Sequence, residues 1–219
     1  MSCGETLVRQ GNLSTASWEG IASPHAAKRL ADVIVSGLGL IACAPLLVAI
    51  AALIKLESRG PVIFRQERHG FRNRRFFMLK FRTMRHEASF DPQVPQATRT
   101  DARITGVGFW LRRLSLDELP QLINVLRGDM SIVGPRPHAV PHNERYAALI
   151  DGYLARHDVK PGLTGWAQVN GERGLTETTE AMRRRLDRDL YYIANWSLRF
   201  DLEIFLKTFP AVLRGRNAY

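Results

Sequence analysis

The sequence predicts a mostly helical α+β protein in three parts: a flexible tail over residues 1–27, a membrane helix segment over 28–58 and a compact domain over 59–219. Three observations predict it. Between Val33 and Ile54 there is no charged residue, and as a helix that run is about 33 Å long, enough to cross the hydrocarbon core of a bilayer. After Gly60-Pro61 come short β-prone runs, Val62–Phe64 and Phe76–Phe81, on either side of a turn-forming stretch, His69–Asn73. Farther on, apolar residues recur at helical spacing in several separate stretches.

Each element has its local reason. The tail carries Gly, Ser, Thr and Asn and lacks the charged-then-apolar layout of a signal peptide, so it reads as mobile. Pro45, preceded by Ala44, sits near the middle of the apolar run; proline removes an N–H and crowds the preceding turn, which can bend a helix. Each half would be about 17 Å long, roughly half the hydrocarbon thickness. Lys28 and Arg29 precede the run, and Lys55, Arg59, Arg65 and Arg68 follow it. Basic flanks on both sides suit a hairpin that returns to the cytoplasmic face, and an ordinary span with a tolerated proline suits the run equally well.

The two β-prone runs pair as a hairpin, with Phe77, Leu79 and Phe81 facing a core or the membrane and Lys80, Arg82 and Met78 on the other face. Arg99–Arg103 is a polar turn. Helices are expected over Val107–Leu114, Leu119–Leu126, Thr178–Ile193 and Leu202–Leu213, with a Pro-rich loop at 135–145 and a glycine-rich loop at Lys160–Gly174. Near the C-terminus Trp196, Leu198, Phe200, Leu202, Phe205 and Phe209 lie among Arg199, Lys207 and Arg214, a pattern that fits core packing and an interfacial helix alike.

With 31 Lys and Arg against 21 Asp and Glu, the net charge of +10 suits an anionic partner: nucleic acid, anionic lipid or a phosphorylated substrate. The basic-aromatic stretch RRFFMLKFRTM carries no recognised nucleic-acid fold signature, and there is no Walker A loop and no GxGxxG. Cys3 and Cys43 form no CxxC or Cys/His cluster, so zinc and a structural disulfide are not expected.

The densest chemistry lies in Ser115-Leu-Asp-Glu-Leu-Pro120. Ser115 and Glu118 have the spacing of a capping box, and Pro120 marks a helix start. Asp117 and Glu118 would then sit at a helix N-terminus, whose dipole keeps carboxylates ionised. On these residues alone a plain cap is the better reading. Arg112 and Arg113 lie a turn upstream, and downstream Pro135 and Pro137 stiffen the backbone around Arg136, which suits bidentate contact with phosphate. In the glycine-rich loop, backbone N–H groups can approach a phosphate, and Trp166 can stack on a base or fill a core.

Taken in order, KRLAD at Lys28–Asp32, the apolar run with Ala44-Pro45, KFRTM at Lys80–Met84, LDELPQLINVLRGDMSIVGPRP at Leu116–Pro137 and KPGLTGWAQVNG at Lys160–Gly171 closely resemble the monotopic bacterial phosphoglycosyl transferases that initiate polysaccharide assembly, over about residues 28–213. The resemblance implies transfer of a sugar-1-phosphate from a UDP-sugar, glucose or galactose first, to undecaprenyl phosphate, with release of UMP. It implies that residues 59–219 are the catalytic domain and that the chain works at the cytoplasmic face of the bacterial inner membrane, among its lipids and without nucleic acid. Asp117 would be the nucleophile that carries the phosphosugar covalently, and Glu118 the ligand of Mg²⁺. Arg112 and Arg136 would steady phosphates; Lys80, Arg82, Gln168, Arg173 and Asp201 complete the substrate-binding expectations.

The resemblance also turns the apolar run toward a re-entrant helix hairpin and the C-terminal stretch toward an interfacial amphipathic helix. Ala44 departs from the family, which often has serine before the membrane proline; a hydroxyl that could stand in for a lost backbone hydrogen bond is absent. A homodimer is compatible with the sequence, which marks no interface. The rival from another class is a non-catalytic, membrane-bound basic adaptor for nucleic acid or anionic lipid, which would bind in a salt-sensitive way without releasing nucleotide.

Overall fold

In the computed structural model, residues 24–85, 101–172, 174 and 178–213 are described, so the tail at 1–23, Arg99 and Arg173 lie outside the described residues. The chain opens with α1, Pro24–Glu57, a helix of 34 residues with Pro45 inside it. The helical pattern runs through Pro45 without interruption, where the sequence leaves a hairpin and an ordinary span open and the resemblance implies re-entry. One side is covered toward each end, where Asp32, Ser36, Ile50 and Ile54 are buried and Leu40 and Leu47 pack on the domain, while residues 41–46 between them are exposed apart from half-buried Cys43. The other side exposes Leu30, Ile34, Leu38, Ile41, Val48, Leu53 and Leu56.

Both ends of α1 are tied to the same domain. At its start, Lys28 Nζ bonds Asp201 Oδ2 (2.6 Å) and the Val133 carbonyl (3.0 Å), Arg29 donates to the Val125 and Leu126 carbonyls, and Asp32 accepts from Ser131 Oγ and Ile132 N. At its end, Arg82 donates to the carbonyls of Ser58 and Arg59, and Glu57 accepts from Val107 N. Carbonyls left over at a helix C-terminus need such donors, which is the use this chain makes of Arg82.

The hairpin forms as expected and is longer at its first strand: β1, Ile63–His69, pairs antiparallel with β2, Arg75–Phe81. Its tight turn places Arg72 and Asn73 at positive φ. Leu79 and Phe81 are buried as expected, but Phe77 is 60% exposed and Met78, on the opposite face, is buried, so the far end of the ribbon is packed on both sides. There follow α2 (Gly106–Arg113), a 3₁₀ turn (Leu116–Glu118), α3 (Gln121–Arg127), β3 (Ser131–Val133), α4 (Val140–Leu149), a second 3₁₀ turn (Tyr153–His157), β4 (Gly162–Thr164), α5 (Trp166–Val169), α6 (Thr179–Ala194) and α7 (Leu198–Leu213).

Two loop expectations are corrected. Most of the Pro-rich stretch at 135–145 is the start of α4, because Pro141 falls in the first helical turn, where its missing N–H costs nothing. Part of the glycine-rich stretch is β4, paired in parallel with β3 through Ser131↔Gly162 and Val133↔Thr164. Gly134 and Gly162 are required there: a Cβ at Gly134 would meet the Lys160 carbonyl oxygen at 2.5 Å, and one at Gly162 would collide with the Gly134 backbone. The main core joins Met78, Leu122, Val125, Met130, Ile132, Val133, Tyr192 and Ile204, with Leu40 of α1 and Phe200 and Phe205 of α7 packed against it. α7 leaves Leu198, Leu202, Leu206 and Phe209 exposed on one side.

Candidate active site

Asp117 and Glu118 sit in the 3₁₀ turn, three residues before α3 begins, and both are buried. The expected capping box is not formed. Ser115 adopts left-handed backbone (φ 60°) and its hydroxyl does not cap; its carbonyl accepts from Glu118 N at 3.3 Å instead. The left-handed residue turns the chain sharply out of α2 and drives the two acidic side chains inward, against β2 and the Pro-Arg-Pro segment.

Glu118 is the hub. Its Oε1 accepts from Lys80 Nζ (2.9 Å) and Arg136 Nη2 (2.5 Å), and its Oε2 from Arg136 Nη1 (3.2 Å), a forked charge-assisted contact. Lys80 also lies 4.0 Å from Asp117 Oδ2. The dipole argument leaves out the largest influence on Asp117: burial raises its pKa, against the pull of Lys80, Arg112 and Arg136 and with Glu118 adding to the rise. Asp117 is thus a buried carboxyl with the charges of Lys80, Arg112 and Arg136 near it.

Arg136 is itself held from behind. Arg156 Nη2 donates to the Arg136 carbonyl (2.7 Å) and to Asp189 Oδ2 (2.8 Å), and Arg156 Nη1 meets His138 Nδ1 (2.5 Å). The Arg156–Asp189 pair is almost wholly buried, with side chains 1% and 3% exposed. His138 is pushed far below the ordinary histidine range by burial, then by Arg156 and Arg185, so the imidazole is neutral. Arg156 of the second 3₁₀ turn, paired with Asp189 of α6, thus holds the backbone of the Pro-Arg-Pro segment, and its arginine contacts Glu118.

The sequence expectations divide. Lys80, Arg112, Arg136, Asp117 and Glu118 are brought together. Arg82 is engaged by the end of α1, Asp201 by Lys28, Tyr192 Oη (2.7 Å) and Trp196 Nε1 (3.1 Å), and Gln168 donates to the Leu163 carbonyl (3.3 Å). Trp166 packs among Tyr191 and Phe200 with Lys207 4.9 Å from its ring centre, the core-packing alternative. Arg68, Arg156 and Arg185 were not singled out by sequence reasoning. The missed signal is hairpin register: counting back from the turn puts Arg68 on the face of Lys80.

Among the described residues there is no group of three or more His, Cys, Asp or Glu that could cage a metal. Two adjacent carboxylates nevertheless fit Mg²⁺, which takes one or two carboxylates and completes its shell with water and substrate phosphates. Two carboxylates beside clustered cations suit phosphoryl transfer onto an oxygen.

Residues 23–215 match the family model described as bacterial sugar transferase. A UDP-glucose:undecaprenyl-phosphate glucose-1-phosphate transferase of Escherichia coli (strain K12) is 55% identical over 193 residues, which cover 88% of this chain and 41% of the relative. A protein of the same name from Caulobacter vibrioides is 54% identical over 88% of this chain and 72% of its own length. The exopolysaccharide production protein PSS of Rhizobium leguminosarum bv. phaseoli is 43% identical over 87% of this chain and 97% of its own length. The chain thus spans about two fifths of several relatives it matches and nearly all of another.

Proposed function

This chain belongs to the bacterial sugar transferase family, and on that premise we propose that it transfers a sugar-1-phosphate from a UDP-sugar to undecaprenyl phosphate, releasing UMP, as the first membrane step of exopolysaccharide synthesis. The observation that carries the reading is the buried Asp117–Glu118 pair gripped by Lys80 and Arg136. An Asp117 oxygen attacks the sugar-bearing phosphorus, the bond from that phosphorus to the bridging oxygen breaks, and its electron pair leaves on UMP. An oxygen of undecaprenyl phosphate then attacks the same phosphorus and frees the Asp117 carboxylate. Arg136 and Lys80 supply fixed positive charge where negative charge crowds. Mg²⁺ held by Glu118 would neutralise the diphosphate when bound. Glucose is the first sugar to test, because relatives at 50–55% identity carry it in their names.

The same reading places α1 in one leaflet on the cytoplasmic side. α1 is long and apolar enough to cross a membrane, yet Lys28–Asp32 and Glu57–Arg59 are tied to one domain while the middle of the helix around Pro45 is exposed. A helix bent at Pro45, entering and leaving on one face, meets those ties and gives its exposed leucines a lipid environment. The test is release of UMP from a panel of UDP-sugars with purified protein and undecaprenyl phosphate. Mg²⁺-dependent UMP release with one sugar supports the proposal; salt-sensitive binding of nucleic acid or anionic lipid without release would favour the adaptor.

A further inference from the structure

Arg68 lies on β1, and the strand register places it on the face of the hairpin that carries Lys80. Lys80 stands opposite Phe64 and Arg68 opposite Phe76, so the two cations occupy the same face with about 13 Å between their strand positions. The Glu118–Arg136 contact joins the two ends. Lys80 reaches Glu118 from one side, and Arg68 Nη1 donates to the carbonyl of Pro137 (3.3 Å), the residue after Arg136.

Arg68 differs from its neighbours in what it holds. Lys80 and Arg136 share the Glu118 carboxylate. Arg68 donates to neutral acceptors, the Pro137 carbonyl and Gln66 Oε1 (2.5 Å), and its Nε is buried without a hydrogen-bond partner. Among the described residues it makes no ion pair. Burial and the Arg136 charge bring its pKa down to about 10, against a smaller upward pull from Glu118. Three cations, Lys80, Arg68 and Arg136, therefore stand near two carboxylates, Asp117 and Glu118. That surplus is costly inside a protein unless an anion completes it.

We propose that Arg68 is a substrate-binding residue that takes the nucleotide-side phosphate of a nucleoside diphosphate sugar, the one that departs as nucleoside monophosphate. This rests on the transferase reading above and adds a direction to it. The Asp117 and Lys80 end faces the phosphorus under attack, and Arg136 stands between that end and Arg68. The leaving group must depart on the side opposite the nucleophile. As the bond to the bridging oxygen breaks, the departing phosphate gains the electron pair and a negative charge, and Arg68 is the cation on that side.

The experiment uses the full chain in detergent or nanodiscs and measures dissociation constants for UMP and for uridine, with thermal unfolding alongside. Arg68→Gln weakens UMP binding about tenfold to a hundredfold, the worth of a charge-assisted contact, and leaves uridine binding and the KM for undecaprenyl phosphate within about twofold. Arg68→Lys keeps the charge, loses the planar fork and falls between the two; it carries the test if Arg68→Gln does not fold. Equal loss for UMP and uridine would overturn the proposal in favour of a residue that merely holds the Pro137 loop, and so would unchanged UMP affinity. An effect on the KM for undecaprenyl phosphate alone would assign Arg68 to the acceptor and also overturn it. If Arg68 variants bind UMP normally while Asp117→Asn abolishes UMP release, the inference fails and the transferase reading stands.

Discussion

Replacing Arg136 by methionine tests how the carboxylate pair is held. Arg136 supplies two hydrogen bonds to Glu118, at 2.5 and 3.2 Å, and Lys80 a third at 2.9 Å. At about 1.5–3 kcal/mol for each bond to a charged group, the pair of bonds has an upper worth of about 3–6 kcal/mol. The Arg136 side chain is 21% exposed and Lys80 remains, so solvent screening and the surviving partner reduce this; we expect a loss of about 2–3 kcal/mol. For a chain of this size that lowers Tm by about 4–12 °C. A second effect follows from charge. Asp117 is raised mainly by burial, and Arg136 is one of the cations opposing the rise. Without it the carboxyl titrates higher still, and the ionised fraction that the proposed mechanism uses falls at a given pH. The acid limb of UMP release against pH therefore moves to higher pH in Arg136→Met and moves back toward the original in Arg136→Lys. A Tm within 1 °C of the original, as roughly expected of a neutral surface change, together with an unmoved acid limb would refute this account of the pair.

Three more outcomes are expected. The folded pKa of Asp117 lies above its unfolded value, so ionisation opposes folding and stability declines as pH rises from the unfolded value through the folded one; Asp117→Asn removes that decline, and unfolding scans across pH should show a Tm at neutral pH no lower than the original. Asp189→Asn leaves Arg156 buried with its carboxylate gone and should cost about 3–5 kcal/mol in denaturant unfolding, whereas the apolar double replacement Arg156→Met with Asp189→Leu recovers much of it. Gly162→Ala forces a Cβ into the Gly134 backbone where β3 and β4 pair; it should cost about 2–3 kcal/mol, and a variant as stable as the original would contradict the strand pairing.

What could be read from sequence follows from how local each signal is. The hairpin was legible because two β-prone runs flank a turn, and α2, α6 and α7 because their apolar periodicity is continuous. β3 and β4 were not, since three-residue strands carry too few positions for alternation and pair across a long separation, held by Gly134 and Gly162. The Ser115 box failed for a backbone reason: the left-handed φ at that residue serves the turn that buries Asp117, and spacing alone does not report φ. Asp117 and Glu118 were legible as candidates, but the rise in the Asp117 pKa was not, because its main cause, burial, is invisible in sequence. Arg156, Arg185 and Asp189 carry no local signal in the sequence, and only the fold brings them together behind Arg136.

The central claim is that Asp117 carries the phosphosugar. Incubation with UDP-glucose and Mg²⁺ in the absence of undecaprenyl phosphate, followed by acid quench and intact-protein mass spectrometry, measures it directly. The account predicts a mass increase of one hexose phosphate, located by peptide mapping to Asp117, absent in Asp117→Asn and discharged when undecaprenyl phosphate is added. UMP release at full rate with no adduct on the wild-type chain, or an adduct that persists in Asp117→Asn, would contradict it.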